Sequence, residues 1–278
     1  MTSDPLAYDT TEPTSARGYG WLLGGKDNYE IDRLFVQHVL QQHPGNLDIA
    51  RDNRRFLGRA VRHLAEQVGI RQFIDMGCGL PTDNNVHQVA QQALPDARVV
   101  YVDNDPIVLA HGRALLAGDD RTTVITADMR DPEAVLSHPD TRRLIDFSEP
   151  YAVLFLSVGH HLTDADGPRR IIDTLLDAGP HGCHVAFSQV VDEIAERGQR
   201  MSREFTAKGI PWQSRTPAEV DELLTGLKPV EPGLVNLRDW RPTDASPELA
   251  PVPPELWRFV GASEHTPESY EYGGVLHR

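Results

Sequence analysis

The residues best placed to do chemistry lie where apolar runs stop. Phe73-Ile74-Asp75-Met76-Gly77-Cys78-Gly79-Leu80-Pro81-Thr82 reads as a strand ending in a glycine-broken turn, after which Val86, Val89, Ala90 and Ala93 recur at helical spacing. Gly77 and Gly79 let the backbone turn sharply and leave room for a ligand against main-chain N–H groups near a helix start. A plain tight turn uses the same two glycines, and the third glycine of a dinucleotide fingerprint is absent, Leu80-Pro81-Thr82 standing in its place. A second apolar run, Arg98 to Val102, ends in Asp103 about 20 residues on, where a carboxylate can accept both hydroxyls of a ribose. A third run, Thr122 to Ala127, delivers Asp128 and Met129 into a loop, and the most apolar run, Tyr151 to Leu156, ends at Ser157-Val158-Gly159-His160-His161. Asp75, Asp103 and Asp128 taken singly serve equally well as turn or cap residues; three in register with a Gly-x-Gly loop form a stronger pattern.

The histidine pair has two readings. Adjacent side chains on an extended segment point opposite ways, so one of the two is expected to face a cleft. There a neutral imidazole can take a proton from a hydroxyl or amine, and His160 is the candidate; the other reading is a hydrogen-bonded structural histidine. Neither histidine belongs to a set with metal-ligand spacing, so no metal is expected.

These residues need elements to hold them. From Arg71 onward strands and helices alternate, which predicts an α/β fold with a doubly wound, mostly parallel sheet and ligands at the carboxyl ends of its strands. Helices are predicted from Pro106 to near Gly118, from Pro168 to Ala178, from Asp192 to Lys208 and from Pro217. Strands are predicted at Cys183 to Ser188, Lys228 to Leu237 and Tyr272 to Leu276. A proline-rich surface loop runs from Pro242 to Pro254. Before this core, residues 1–14 are expected to form a flexible arm and residues 15–69 a helical segment, with helices near 30–43 and 48–68. Arg51, Arg54, Arg55, Arg59 and Arg62 on the second of these are expected on a solvated or acid-paired face. In the first part of that segment Tyr19, Trp21, Gly24, Lys26 and Asn28 admit two readings: a helix closed by Gly24 and Gly25, or a mobile lid whose aromatics cover a ligand. One structural domain is expected overall.

Composition narrows the partners. The 278 residues carry 27 basic and 41 acidic side chains, a net charge of −14, which argues against a bare nucleic-acid or anionic-membrane surface. Two cysteines, one of them in the proposed ligand loop, argue against a structural disulfide. No run approaches the roughly 20 apolar residues of a membrane span and the N-terminal stretch has no secretory apolar segment, so a cytoplasmic protein is expected.

Asp75-x-Gly77-x-Gly79 followed by Asp103 and Asp128 resembles the class I S-adenosylmethionine-dependent methyltransferases. More narrowly, the chain resembles a bacterial family of such methyltransferases that was formerly a domain of unknown function. The resemblance rests on Leu23-Gly24-Gly25-Lys26-Asp27-Asn28-Tyr29, Asp75 to Thr82, Tyr101 to Pro106, Arg215-Thr216-Pro217 and Glu231 to Val235. It extends over nearly the whole chain and implies a Rossmann-like core that uses S-adenosyl-L-methionine. By position, Gly77 and Gly79 would admit the amino-acid moiety, Asp103 would hold the ribose and Asn104 the adenine edge. Asp128 would meet the adenine amine with Met129 packed on the ring, Asp75 would orient the loop or meet the ammonium, and Ser157 and His160 would stand on the acceptor side. Pro81 replaces the usual third glycine, which implies a different hold on the methionine end. The expected function is methyl transfer to a small-molecule acceptor. Its rivals are a module that only binds the cofactor and an NAD-dependent oxidoreductase, the latter opposed by Pro81 and by the lack of a Tyr-x-x-x-Lys pair.

Overall fold

The computed structural model describes residues 11–115, 120–243 and 248–278. The expected arm therefore lies largely outside the described residues, as do the predicted helix end near Gly118 and part of the proline-rich loop. Three helices open the described chain: α1 (Ser15–Leu22), α2 (Glu30–Gln42) and α3 (Asn46–His63). Thr14 caps α1 through its side chain, and Leu64–Val68 extends α3 by a wider turn that stops at Gly69 in the left-handed region. The alternating part follows as β1 (Gln72–Met76), α4 (Val86–Ala93), β2 (Arg98–Asp103), α5 (Pro106–Leu115) and β3 (Thr122–Thr126). Two short helices, α6 (Pro132–Ser137) and α7 (Pro139–Leu144), lead to β4 (Ala152–Phe155), α8 (Pro168–Asp177), β5 (His184–Asp192), α9 (Ala195–Thr206) and α10 (Pro217–Leu223).

The predicted strand from Lys228 to Leu237 is two short pieces, β6 (Lys228–Pro229) and β7 (Val235–Asn236), because a turn holding Pro232 and Gly233 interrupts it. The closing strand β8 (Ser269–His277) is longer than its apolar run, since it pairs antiparallel with β5 along all nine residues. Among the described residues the sheet runs β3-β2-β1-β4-β5-β8-β6, with β7 also on β8 and β1 to β5 parallel. The strand order therefore reverses between β1 and β4, where a doubly wound sheet opens a crevice.

The two faces of the sheet carry separate cores, and strand periodicity assigns residues to them. Ile74 and Met76 of β1 pack with Val153, Ile171 and Leu175 on one side, while Phe73 packs with Phe56, Val61 and Val89 on the other. Asp75 shares the face of Phe73, so it looks toward α3. The initial helices make a third apolar cluster in which Trp21, Val36, Leu40 and Leu47 meet Leu256 and Phe259 from near the chain's end. α1 is also pinned to α2 by an ion pair, Arg17 Nε to Asp32 Oδ2 at 2.8 Å, with both side chains almost fully buried.

Candidate active site

A cleft of about 750 Å3 lies over the carboxyl ends of β1, β2 and β4 and beneath α1, α2 and α3. The volume falls in the ordinary range of small-molecule sites. Asp75, Gly77, Gly79, Asp103, Asn104, Asp128, Met129, Ser157 and His160 all line it, so the topology gathers every expected cofactor and acceptor-side residue into one cavity.

On its polar side the loop after β1 is held in shape by the carboxylate that ends β2. Gly79 N–H donates to Asp103 Oδ2 at 2.8 Å, and Asp103 Oδ1 accepts from Asp105 N–H at 2.9 Å. Gly77 (φ 70°) and Gly79 (φ 65°) both occupy the left-handed region. A Cβ at Gly77 would stand 2.9 Å from Val158 Cγ1, whereas one at Gly79 would meet nothing within 4 Å, so open space lies beside the loop where a ligand can approach main chain. Burial raises the Asp103 carboxyl, with the backbone N–H groups of Asp105, Gly79 and Asn104 opposing the shift. Burial pushes Asp75 up to about 7, with the guanidinium of Arg54 pulling down and Asp103 pushing further up. Asp128 is held low by the Arg130 guanidinium, which donates from Nε to both carboxylate oxygens. Oδ1 also accepts from the Arg130 main-chain N–H at 2.9 Å and Oδ2 from Arg130 Nη2 at 2.5 Å, so Arg130 engages both oxygens twice.

Ser157 is strained. It sits at φ 59° without being glycine, its N–H donates to Ser188 Oγ at 2.8 Å and its hydroxyl donates to Glu271 Oε2 at 3.3 Å. Behind it Ser188 Oγ donates to Asn53 Oδ1 and Asn53 Nδ2 to the Tyr19 hydroxyl, both at 2.8 Å, while Tyr19 donates on to the Ala50 carbonyl. A buried polar chain thus links α1, α3, β5 and β8 under the cleft. Burial pushes Glu271 up to about 8.

Three expectations change. Of the five candidate lid residues only Tyr19 lines the cleft. Trp21 is 4% exposed in the third apolar cluster, since two residues along a helix turn about 200° and put Tyr19 and Trp21 on opposite faces. Gly24 and Gly25 close the end of α1, Asn28 donates to the Gly25 carbonyl and Lys26 is exposed away from the cavity. The histidines also differ from the alternation of a strand: Gly159–His161 is a tight turn and both rings line the cleft. His160 Nδ1 accepts from Val190 N–H at 3.2 Å, so the neutral ring carries its proton on Nε2 and has no lone pair left for taking one; the base role expected of it does not fit this bonding. Burial holds His160 well below the usual histidine range.

Arg54 is the residue that periodicity missed. It was expected on a solvated or acid-paired face, and it lines the cleft together with Asp75 and Gly77, one terminal nitrogen bonded to Asn85 Oδ1 and the Asp83 carbonyl. Its Nε is buried without a partner among the described residues, and burial lowers its pKa. A helical wheel places Arg54 at the edge of the Leu57 and Val61 stripe, which was the available signal. Arg59 is likewise inward, donating from Nε to the Trp240 carbonyl at 2.7 Å.

The arrangement can hold a nucleoside with a charged amino-acid tail: a carboxylate tied to a glycine loop, a second carboxylate beyond it, and an under-bonded cation lining the same cleft. Comparison with known proteins agrees. A family model for S-adenosyl methyltransferase matches residues 1–277. A crystal structure of a putative methyltransferase from Thermobifida fusca YX is 41% identical over 100% of this chain and 99% of its own, with a TM-score of 0.85. That of a DUF574 family protein from Streptomyces avermitilis MA-4680 is 35% identical over 97% and 99%, with a TM-score of 0.82. No curated protein matches the chain. From the strand-order switch, the loop and its carboxylates, and a match along almost its whole length, the chain belongs to the S-adenosyl methyltransferase family.

Proposed function

We propose that the chain moves a methyl group from S-adenosylmethionine to a small-molecule acceptor seated in the half of the cleft away from the glycine loop. The observation that carries this reading is the 2.8 Å hydrogen bond from Gly79 to Asp103, which makes loop and carboxylate one preformed unit at the strand-order switch. In this reading Asp103 accepts the ribose hydroxyls, Asn104 meets the adenine edge, and Asp128 accepts the exocyclic amine with Met129 against the ring. Gly77 and Gly79 bring backbone to the amino-acid end, Asp75 meets its ammonium and Ser157 lies at the boundary with the acceptor. Arg54 takes the carboxylate, which supplies the missing partner of its buried Nε. The bound cofactor supplies an electrophilic methyl group; the chain aligns the two reactants and keeps water out.

A net charge of −14 and a cleft of about 750 Å3, the size of a small-molecule site, support a small acceptor over a nucleic acid. Incubation with methyl-labelled S-adenosylmethionine, pooled metabolites and, separately, total RNA tests the reading. Label in a low-mass product is the expected result. Label in RNA alone would overturn it, and no transfer with cofactor binding intact would favour a module that only binds the cofactor.

A further inference from the structure

The half of the cleft away from the glycine loop has a composition of its own. α2 contributes Phe35, Val36 and Val39, α9 contributes Phe205, and the segment after it Ile210 and Trp212; none of the residues these elements place in the cleft is charged. Its wall is a column of rings. His160 stacks on Trp212 at 3.7 Å, Trp212 stacks on Phe205 at 4.0 Å, and Phe35 meets Phe205 edge-on at 5.5 Å. With both faces of Trp212 covered, the column offers ring edges to the cavity, and a flat π-face packs well against edges.

The polar atoms of this chamber are almost all spoken for. Trp212 Nε1 donates to Ser214 Oγ at 2.9 Å, and His160 Nδ1 accepts from Val190. His161 Nδ1 lies 2.7 Å from the Pro211 carbonyl, which can only accept, so Nδ1 carries the proton and Nε2 holds a free lone pair. Two neighbouring histidines are thereby fixed in opposite tautomers, their ring centroids 4.5 Å apart. Neither Nε2 has a hydrogen-bond partner among the described residues. One can donate and the other accept, the pair of bonds that a single hydroxyl group satisfies.

We propose that the acceptor is a neutral, planar aromatic molecule bearing a hydroxyl, bound in this chamber, and that His161 rather than His160 takes its proton through Nε2. This deepens the methyl-transfer reading above and rests on it. The hydroxyl donates to His161 Nε2 and accepts from His160 Nε2–H. Its oxygen bonds to the methyl carbon as the carbon–sulfur bond breaks with its electron pair left on sulfur, and the O–H proton passes to His161. The positive charge that leaves sulfur is then carried by the His161 imidazolium. His160 positions the oxygen and stays neutral.

The test uses 2-naphthol as probe and keeps binding apart from transfer. Titrated into protein saturated with S-adenosylhomocysteine, 2-naphthol should bind and its sulfonated, anionic analogue should not. Val39→Trp, which fills the chamber from α2, should weaken 2-naphthol by about tenfold or more without changing affinity for S-adenosylhomocysteine. His161→Gln should slow methylation of 2-naphthol by about 100-fold or more, the low end for general base catalysis. Its rate with 4-nitrophenol, at a pH where that phenol is ionised, should stay close to that of the native protein, because no proton remains to be taken and the charge, unlike a ring sulfonate's, lies on the oxygen that faces His160 Nε2–H. Equal losses on the two phenols would make His161 merely structural and overturn its role. Failure of 2-naphthol to bind, or binding without transfer, would overturn the acceptor class while S-adenosylhomocysteine still binds. Loss of S-adenosylhomocysteine binding by the native protein would instead count against the methyl-transfer reading itself.

Discussion

At the scale of single residues, the cleft holds groups whose bonding is incomplete until something binds. Arg54 has a buried Nε without a partner among the described residues, so Arg54→Gln should weaken S-adenosylhomocysteine by roughly 10- to 100-fold, hydrogen bonds between charged groups contributing about 1.5–3 kcal/mol. The same change should leave 5′-methylthioadenosine, which lacks the carboxylate, bound as before; parallel losses in calorimetry would assign Arg54 to loop structure. Glu271 makes a prediction about pH. Burial first, then the charge of Asp52, pushes its carboxyl from 4.5 to about 8, the hydroxyls of Ser157 and Ser188 opposing the shift. The folded protein therefore holds a proton that the unfolded chain has released, and stability falls as pH rises from about 4.5 through 8. Asp75 adds the same sign but only up to about 7. Denaturation of Glu271→Gln should show no fall between pH 7 and 9, where the native protein still loses stability; identical slopes would place the titration elsewhere. Asp75, Asp103 and Asp128 were legible from sequence because they end apolar runs. Arg54 and the tautomers of the histidine pair were not, since each depends on partners far along the chain: Asn85 for Arg54, Val190 for His160 and Pro211 for His161.

At the scale of elements, α1 behaves as part of a unit with α2. The Arg17–Asp32 pair is buried on both sides, and Asp32 also accepts from the backbone of Thr14 and Tyr29. Removing one partner leaves an uncompensated buried charge, so Arg17→Met should cost about 3–5 kcal/mol in denaturant unfolding; a loss under about 1 kcal/mol would mean water reaches the site. Because Tyr19 lines the cleft while Trp21 is anchored in the apolar cluster, a cover over the cofactor would be the inner face of α1 rather than the glycine turn after it. Bound cofactor should then slow amide exchange in α1 more than in the middle of α3, and equal protection would favour a purely structural role. The helix and strand alternation from Arg71 was readable because β1, β2, β4 and β5 are buried along most or all of their length and carry apolar runs, β3 less completely. β6 and β7 were misread as one strand and β8 was underestimated, since an edge pairing and a nine-residue antiparallel partner leave little trace in local hydrophobicity.

At the scale of the whole molecule, the sheet reversal between β1 and β4 and the N-terminal helices above it bound the cleft proposed to seat cofactor and acceptor. Among the described residues no helix is long and apolar enough to cross a membrane. The order of the strands could not be read from the chain, but the gathering of loop and carboxylates at their carboxyl ends could, because parallel strands joined by helices all point their ends the same way. Everything proposed for the acceptor depends on that end being the cofactor's seat. The most direct measurement is a calorimetric titration of S-adenosylhomocysteine into the native protein and into Asp103→Ala. The account predicts one molecule bound per chain, with the substitution costing about 1.5–3 kcal/mol of binding free energy as the ribose hydroxyls lose a charged acceptor. Unchanged affinity in Asp103→Ala would contradict it.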